Sequence, residues 1–192
     1  VKKRWFLLAL VLGVAAVIIV WPHVPGYIQG RFTVVIDHIT GNPDTYVEQT
    51  QGRGWQQTRS ILAIGSGGLF GQGYLQGTQT QSASEEALPA RHTDEIFAVC
   101  GEEFGMVGCI LVILLLTAII LRCVWVARRA NSPMAAYVAM GYAAMLLLQT
   151  VINIGMCLYV FPVVGLTLPF FSSGGSSIIT LYACMGIVSG IK

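Results

Sequence analysis

The chain's 192 residues are 55% hydrophobic and only 10% charged, whereas soluble globular domains are nearer a quarter charged. With a mean hydropathy of +0.70, this excludes an ordinary soluble domain and indicates an integral membrane protein. A formal net charge of +2, with no basic run beyond Lys2-Lys3-Arg4, gives no footing for a nucleic-acid partner.

The first apolar stretch, residues 5–21 (WFLLALVLGVAAVIIVW), would rise about 25 Å as a helix. The basic residues before it resemble a signal peptide, but PHVPGYIQG offers no small-x-small cleavage site, and Trp5 and Trp21 suit interfacial anchors. It is read as a membrane span. Residues 22–95 follow as a long polar loop. Further spans are expected at about 96–126, 135–161 and 170–191, joined by ARRANSP and PVVGLTLP. The expected fold is therefore an all-α polytopic membrane protein with four transmembrane helices and a large loop between the first and second.

Charge orients this arrangement. Lys2, Lys3, Arg4, Arg122, Arg128, Arg129 and Lys192 fall on one side under even alternation, which the positive-inside rule makes cytoplasmic. All nine acids and all three histidines fall in the long loop or the first turns of the second span. The loop is then extracellular, and both ends of the chain are cytoplasmic. The five cysteines are odd in number, lie in or beside apolar segments and form no CxxC, so neither a disulfide framework nor a zinc site is expected.

Within the loop, SILAIG reads as a short amphipathic helix and GSGGLFGQG (65–73) as a glycine-rich turn. Such a turn either cradles phosphate or packs closely on other backbone, and without GK[ST] it is no P-loop. Asp94 precedes a helix-length run. It suits an N-cap, with Glu95 in the first turn, or a general base at the membrane surface beside His92 and Thr93. Glu102 lies eight positions later, where it could share a helical face with Asp94; Glu102 and Glu103 either stay at headgroup level or face a cavity. Gly101, Gly105 and Gly108 permit close helix approach. Gln149 and Asn153, four apart, read as interhelical hydrogen-bonding groups or as part of a lipid-lined cavity. LPFFSSGGSS (168–177) places Pro169 at a helix start with serines as caps, at a terminus that favours anions.

Five motifs in order then carry a resemblance: WQQTRSILAIGSGGLFGQG, GTQTQ, LPARHTDEIFAVCGEEFG, NIGM and LPFFSSGGSS. Together they resemble the C-terminal half of SEDS proteins, the RodA/FtsW/SpoVE family of peptidoglycan glycosyltransferases. GTQTQ and NIGM lean towards RodA, GLTLP towards FtsW, and the RodA-like branch is favoured.

The resemblance implies polymerisation of lipid II on the outer face of the cytoplasmic membrane, with Asp94 of the HTD motif as the catalytic residue. It further implies substrate contacts from Trp55, Gln56, Arg59, Gln79, Arg91, His92, Thr93, Ser172, Ser173 and Gly174. Arg59, Arg91 and the start of the last helix are candidates to balance the pyrophosphate leaving group. A divalent cation is the alternative, although no metal-ligand cluster is visible. The implied partners are a class B penicillin-binding protein and other cell-wall synthesis proteins. Family members carry about twice as many spans, so this chain is expected to hold an incomplete active site.

Several positions depart from the family pattern: Arg59, Gln72, Ala90, Glu95 and Ser173. Glu95 stands where Phe is usual, and its charge is expected to raise the pKa of Asp94. Two other functions compete with the enzyme. A transporter of the lipid-linked precursor would need charges along its spans, which hold few beyond Glu102, Glu103 and Arg122. A non-catalytic membrane partner would keep the helix packing and tolerate loss of Asp94.

Overall fold

The computed structural model describes residues 3–41, 50–81 and 88–191, and among them every regular element is helical. Lys2, Asp44, Glu48 and Lys192, used above to orient the chain, lie outside the described residues, as do the side chains of Lys3, Arg4 and Trp5.

Helix α1 (Lys3–Val20) ends in a single 3-10 turn at Trp21–His23. Pro25 fixes the entry to α2 (Gly26–Thr40), and the chain bends by 114° between the two. Gly41 ends α2 at φ 68°, returning its N–H to the carbonyls of Asp37 and His38. Val34 and Val35 bury against Tyr159 and Ile61, His38 stacks on the Tyr159 ring at 4.0 Å, and Arg31 donates to the Val163 carbonyl at 2.6 Å. These contacts dock α2 on the rest of the molecule.

Helix α3 (Trp55–Ser66) contains the SILAIG segment. Helix α4 (Ile96–Arg129) and helix α5 (Pro133–Cys157) are the two described helices long and apolar enough to cross a membrane. The bent pair α1–α2 is a third candidate if it counts as one span. Ile110, Leu111, Leu114, Leu115 and Leu121 are all half or more exposed along α4. A run of large apolar side chains of this kind suits lipid rather than water.

Small side chains let α4 and α5 approach. Cys123, Ala127, Ala139 and Ala143 pack with Tyr142 and Leu146, while Cys109, Val112 and Leu116 pack near Cys157. Helix α6 (Gly175–Ser189) leans on this pair through Leu181 and Val188, and the Tyr142 hydroxyl donates to the Leu181 carbonyl at 2.8 Å.

Three expectations change here. The second helix runs to Arg129 rather than about residue 126, and the third spans Pro133–Cys157 rather than 135–161. The last helix starts at Gly175, not near 170, and Pro169 and the serines before it do not cap it. Its 15 residues rise about 22 Å, short of the roughly 30 Å of bilayer hydrocarbon.

Helix α4 is broken at Gly105, whose φ of 67° and ψ of −162° are not helical. A break inside a span frees backbone groups that lipid cannot satisfy. The glycine-rich turn satisfies them. Gln72 and Gly73 donate N–H to the carbonyls of Glu102 and Glu103, while Met106 and Val107 donate to the carbonyls of Gly68 and Leu69. The approach is so close that a β-carbon on Gly71 would sit 2.1 Å from the Glu103 carbonyl oxygen, and one on Gly67 1.9 Å from that of Gly101. The turn therefore packs on backbone, and Gly101 receives Ile64 of α3 rather than another spanning helix.

Gly71 also has φ +80°, so a side chain there meets both strain and a wall. Gly71→Ala is expected to cost about 2 kcal/mol or more, read as a lower thermal unfolding midpoint in detergent. Gly141→Ala, with open space around it, is expected to leave that midpoint unchanged or raise it.

Candidate active site

The polar segment before α4 is built on a buried carboxyl group. Glu102 is fully buried. Its Oε1 accepts the Gln79 N–H at 2.7 Å and the Thr78 hydroxyl at 3.2 Å, and its Oε2 accepts the Thr80 N–H at 2.9 Å. Gly77 permits this, since a β-carbon there would lie 2.6 Å from Glu102 Oε2. Glu103 takes the Gln81 side-chain amide at 2.9 Å. Both acids thus anchor the GTQTQ turn, and neither shares a helical face with Asp94.

That turn then holds the HTD segment. Leu88 donates N–H to the Gln79 carbonyl, and the Arg91 guanidinium donates to the Thr80 carbonyl. Arg91 also approaches His92 Nε2 at 3.3 Å, and Arg59 reaches Gln79 Oε1 at 3.4 Å. Arg59, Gln79 and Arg91 therefore belong to one cluster. Trp55 begins α3 half-buried, and Gln56 donates to Glu95 Oε1 at 3.1 Å.

The turn before α6 grips the same segment from its other side. Ser172 Oγ accepts the Leu168 N–H at 2.8 Å and donates to the Thr93 carbonyl at 2.5 Å. Ser173 gives its N–H and its hydroxyl to the His92 carbonyl at 2.9 and 2.7 Å. Ser172, Ser173, His92 and Thr93 are brought together, but by backbone bonding. Gly174 sits at the N-cap of α6 with no side-chain cap.

Asn153 of α5 completes the cradle by donating to the carbonyls of Asp94 at 2.8 Å and Leu166 at 2.6 Å. It bonds to two loop carbonyls rather than across to another helix. The Oε1 of Gln149 is buried without a partner, and Gln149 lines a cavity with Ser176, Ser177 and Thr180. Two supports of α3 lie in the WQQTRS motif without standing out in it: buried Gln57 donates to the carbonyls of Met156 and Phe161, and Ser60 to that of Cys157. Only their apolar neighbours on α3 hint that these side chains face inward.

Asp94 is therefore fixed through its backbone. Its half-buried carboxylate makes no hydrogen bond to the described residues, and Oδ2 lies over Gly165, 3.6 Å from where a β-carbon would stand. The capping expectation is not met. Glu95, not Asp94, occupies the N-cap position of α4, and no side chain caps that helix.

Glu95 is fully buried and its Oε2 has no hydrogen-bond partner. Burial pushes its carboxyl above the usual range, the adjacent Asp94 adds to this, and the hydrogen bond from Gln56 opposes it. Among the described residues no cluster of His, Cys, Asp or Glu could hold a metal ion.

The family described as "Cell cycle protein" (FtsW/RodA/SpoVE) matches residues 1–192. The chain belongs to that family. It is 46% identical over 140 residues to "Peptidoglycan glycosyltransferase MrdB" of Escherichia coli strain K12, covering 73% of this chain and 37% of that protein. It is 38% identical over 145 residues to "Stage V sporulation protein E" of Bacillus subtilis strain 168, covering 76% and 38%. A solved peptidoglycan synthase complex superposes with a TM-score of 0.69 at 28% identity, covering 97% of this chain and 48% of the matched chain. The chain thus spans less than half the length of these relatives.

A raised carboxyl pKa makes stability depend on pH with a definite sign. Below about 4.5, the ordinary value, Glu95 is protonated both folded and unfolded, and its full contribution is present. As pH rises towards the higher folded pKa, the unfolded chain releases a proton that the fold retains, and stability falls. Glu95→Gln is expected to flatten the fall in unfolding midpoint between pH 5 and 7.5, measured in detergent.

Proposed function

We propose that the protein is a peptidoglycan glycosyltransferase that polymerises lipid II at the outer face of the cytoplasmic membrane, with Asp94 as general base. One observation carries this reading: Asp94 is held through its backbone while its half-buried carboxylate makes no hydrogen bond to the described residues. A structural carboxylate would spend its oxygens on partners, as Glu102 does. A base must keep them for a substrate proton.

In the proposed step, Asp94 takes the proton from the acceptor sugar 4-hydroxyl. The oxygen attacks the anomeric carbon of the donor chain, and the bond from that carbon to the pyrophosphate oxygen breaks. The electron pair leaves with undecaprenyl pyrophosphate. Arg59 and Arg91 supply positive charge near the HTD segment, and a divalent cation is the alternative. Beside the start of α4, an apolar cavity of about 430 Å³ between Ile64, Phe97, Cys109 and Ile154 suits a prenyl chain. Gln56, Gln79, His92, Thr93, Ser172 and Ser173 act chiefly by fixing the segment that presents Asp94, and Trp55 and Gly174 remain candidate substrate contacts.

The finer topology belongs to the same reading. We take the bent α1–α2 pair and α6 as membrane-embedded beside α4 and α5, giving four segments, with the HTD segment outside and the ends of the chain inside. The relatives named as peptidoglycan glycosyltransferases, and the synthase complex matched in structure, support both the activity and a class B penicillin-binding protein as partner.

The test is polymerisation of lipid II by the full-length protein with that partner. Asp94→Asn is expected to lower the rate at least about 100-fold with an unchanged unfolding midpoint. Undiminished polymer from Asp94→Asn would overturn the assignment of the base. No polymer from wild type, while a known polymerase works in parallel, would overturn the activity.

A further inference from the structure

At the far end of α4 from Asp94, a second site is assembled from different chemistry. Arg122, Trp125, Val126 and Arg129 recur at the three- and four-residue spacing that puts them on one helical face. The guanidinium carbons of Arg122 and Arg129 lie 4.2 and 4.1 Å from the centre of the Trp125 ring. The indole thus gathers two like charges that would otherwise repel. They border a cavity of about 350 Å³ whose opposite wall is Met185, Val188 and Ser189 of α6 with Ile191 beyond it.

No acidic side chain lines this cavity. No Asp or Glu follows Glu103 anywhere in the sequence, and Arg122 stands 19 positions beyond it, about 29 Å at helical rise. Among the described residues no carboxylate neutralises the pair, and a bound anion would supply the counter-charge. The cavity lies at the end of a spanning helix, with two guanidiniums at its rim and apolar walls behind. This combination fits a phosphate group attached to a hydrocarbon chain. A free phosphate would use the rim and leave the apolar walls unoccupied.

We propose that the cleft between the ends of α4 and α6 binds an anionic phospholipid of the leaflet opposite Asp94. Arg122 and Arg129 hold its phosphate, and Met185, Val188 and Ile191 line its first methylenes. Trp125 keeps the two guanidiniums together so that both can engage one headgroup.

The test is native mass spectrometry of the full-length protein, offered phosphatidylglycerol or phosphatidylcholine of the same acyl chains. Phosphatidylglycerol is expected to be retained preferentially. Arg122→Gln and Arg129→Gln are each expected to lower that retention about fivefold. Arg128→Gln removes the same charge from an exposed residue outside the cavity and is expected to leave retention unchanged. Ser189→Phe keeps every charge but obstructs the cleft, and it is expected to lose the lipid even where an arginine variant fails to fold. Equal losses from all three arginine variants would overturn the proposal in favour of diffuse surface charge. Equal retention of phosphatidylcholine would overturn it as well. Displacement of the lipid by millimolar inorganic phosphate would make the ligand a free phosphate instead.

Discussion

Two backbone N–H groups, from Gln79 and Thr80, close on the buried carboxyl group of Glu102, and the placement of the HTD segment depends on that contact. A carboxyl group sealed inside protein needs such donors, because leaving it unsatisfied would be costly. The Gly105 break and the glycine-rich turn beside it fix where Glu102 stands. Glu102 fixes the GTQTQ turn, and that turn receives Leu88 and Arg91. Asp94 is carried only a few residues further on. The chain of support runs from a broken membrane helix to a half-buried carboxylate through hydrogen bonds, with Leu88 packed on Ala63 and Ala98 beside them.

The opposite side of the segment is held by different elements with the same kind of bond. Asn153 reaches the Asp94 carbonyl from α5, and Ser172 and Ser173 reach the carbonyls of Thr93 and His92 from the turn before α6. Gripping backbone rather than side chains has a consequence for chemistry. The loop becomes rigid without consuming the groups that would meet a substrate. Burial of Glu95 next to Asp94 adds a second effect, since burial favours the neutral form of its carboxyl group and so lessens the negative charge beside a base.

Much of this was legible in the residues. The apolar lengths of α4 and α5 are a strong signal, and hydrogen bonding by Asn153 was one of two readings of an amide among hydrocarbon side chains. The close packing of the glycine-rich turn was one of two readings of its composition. Other features were hidden because local rules were overruled by distant partners. Asp94 looks like a helix cap, yet its backbone is claimed by Asn153 and Glu95 takes the cap position. Ser172 and Ser173 look like caps of α6, yet they serve the HTD segment some 80 residues earlier in sequence. Gly105 is one glycine among 22, and nothing local marks it as the break. Gln57 and Ser60 lie within the WQQTRS motif, but their role as supports depends on which distant carbonyls they face.

The central claim is that the Asp94 carboxylate is left free for an acceptor sugar. It is tested most directly by the structure of the full-length protein with lipid II bound. The account predicts an acceptor hydroxyl within about 3.2 Å of an Asp94 oxygen, or joined to it by one water, with the Asn153 and Ser172 bonds intact. A bound substrate whose acceptor hydroxyl lies beyond that reach, with another side chain in contact with it, would contradict the account.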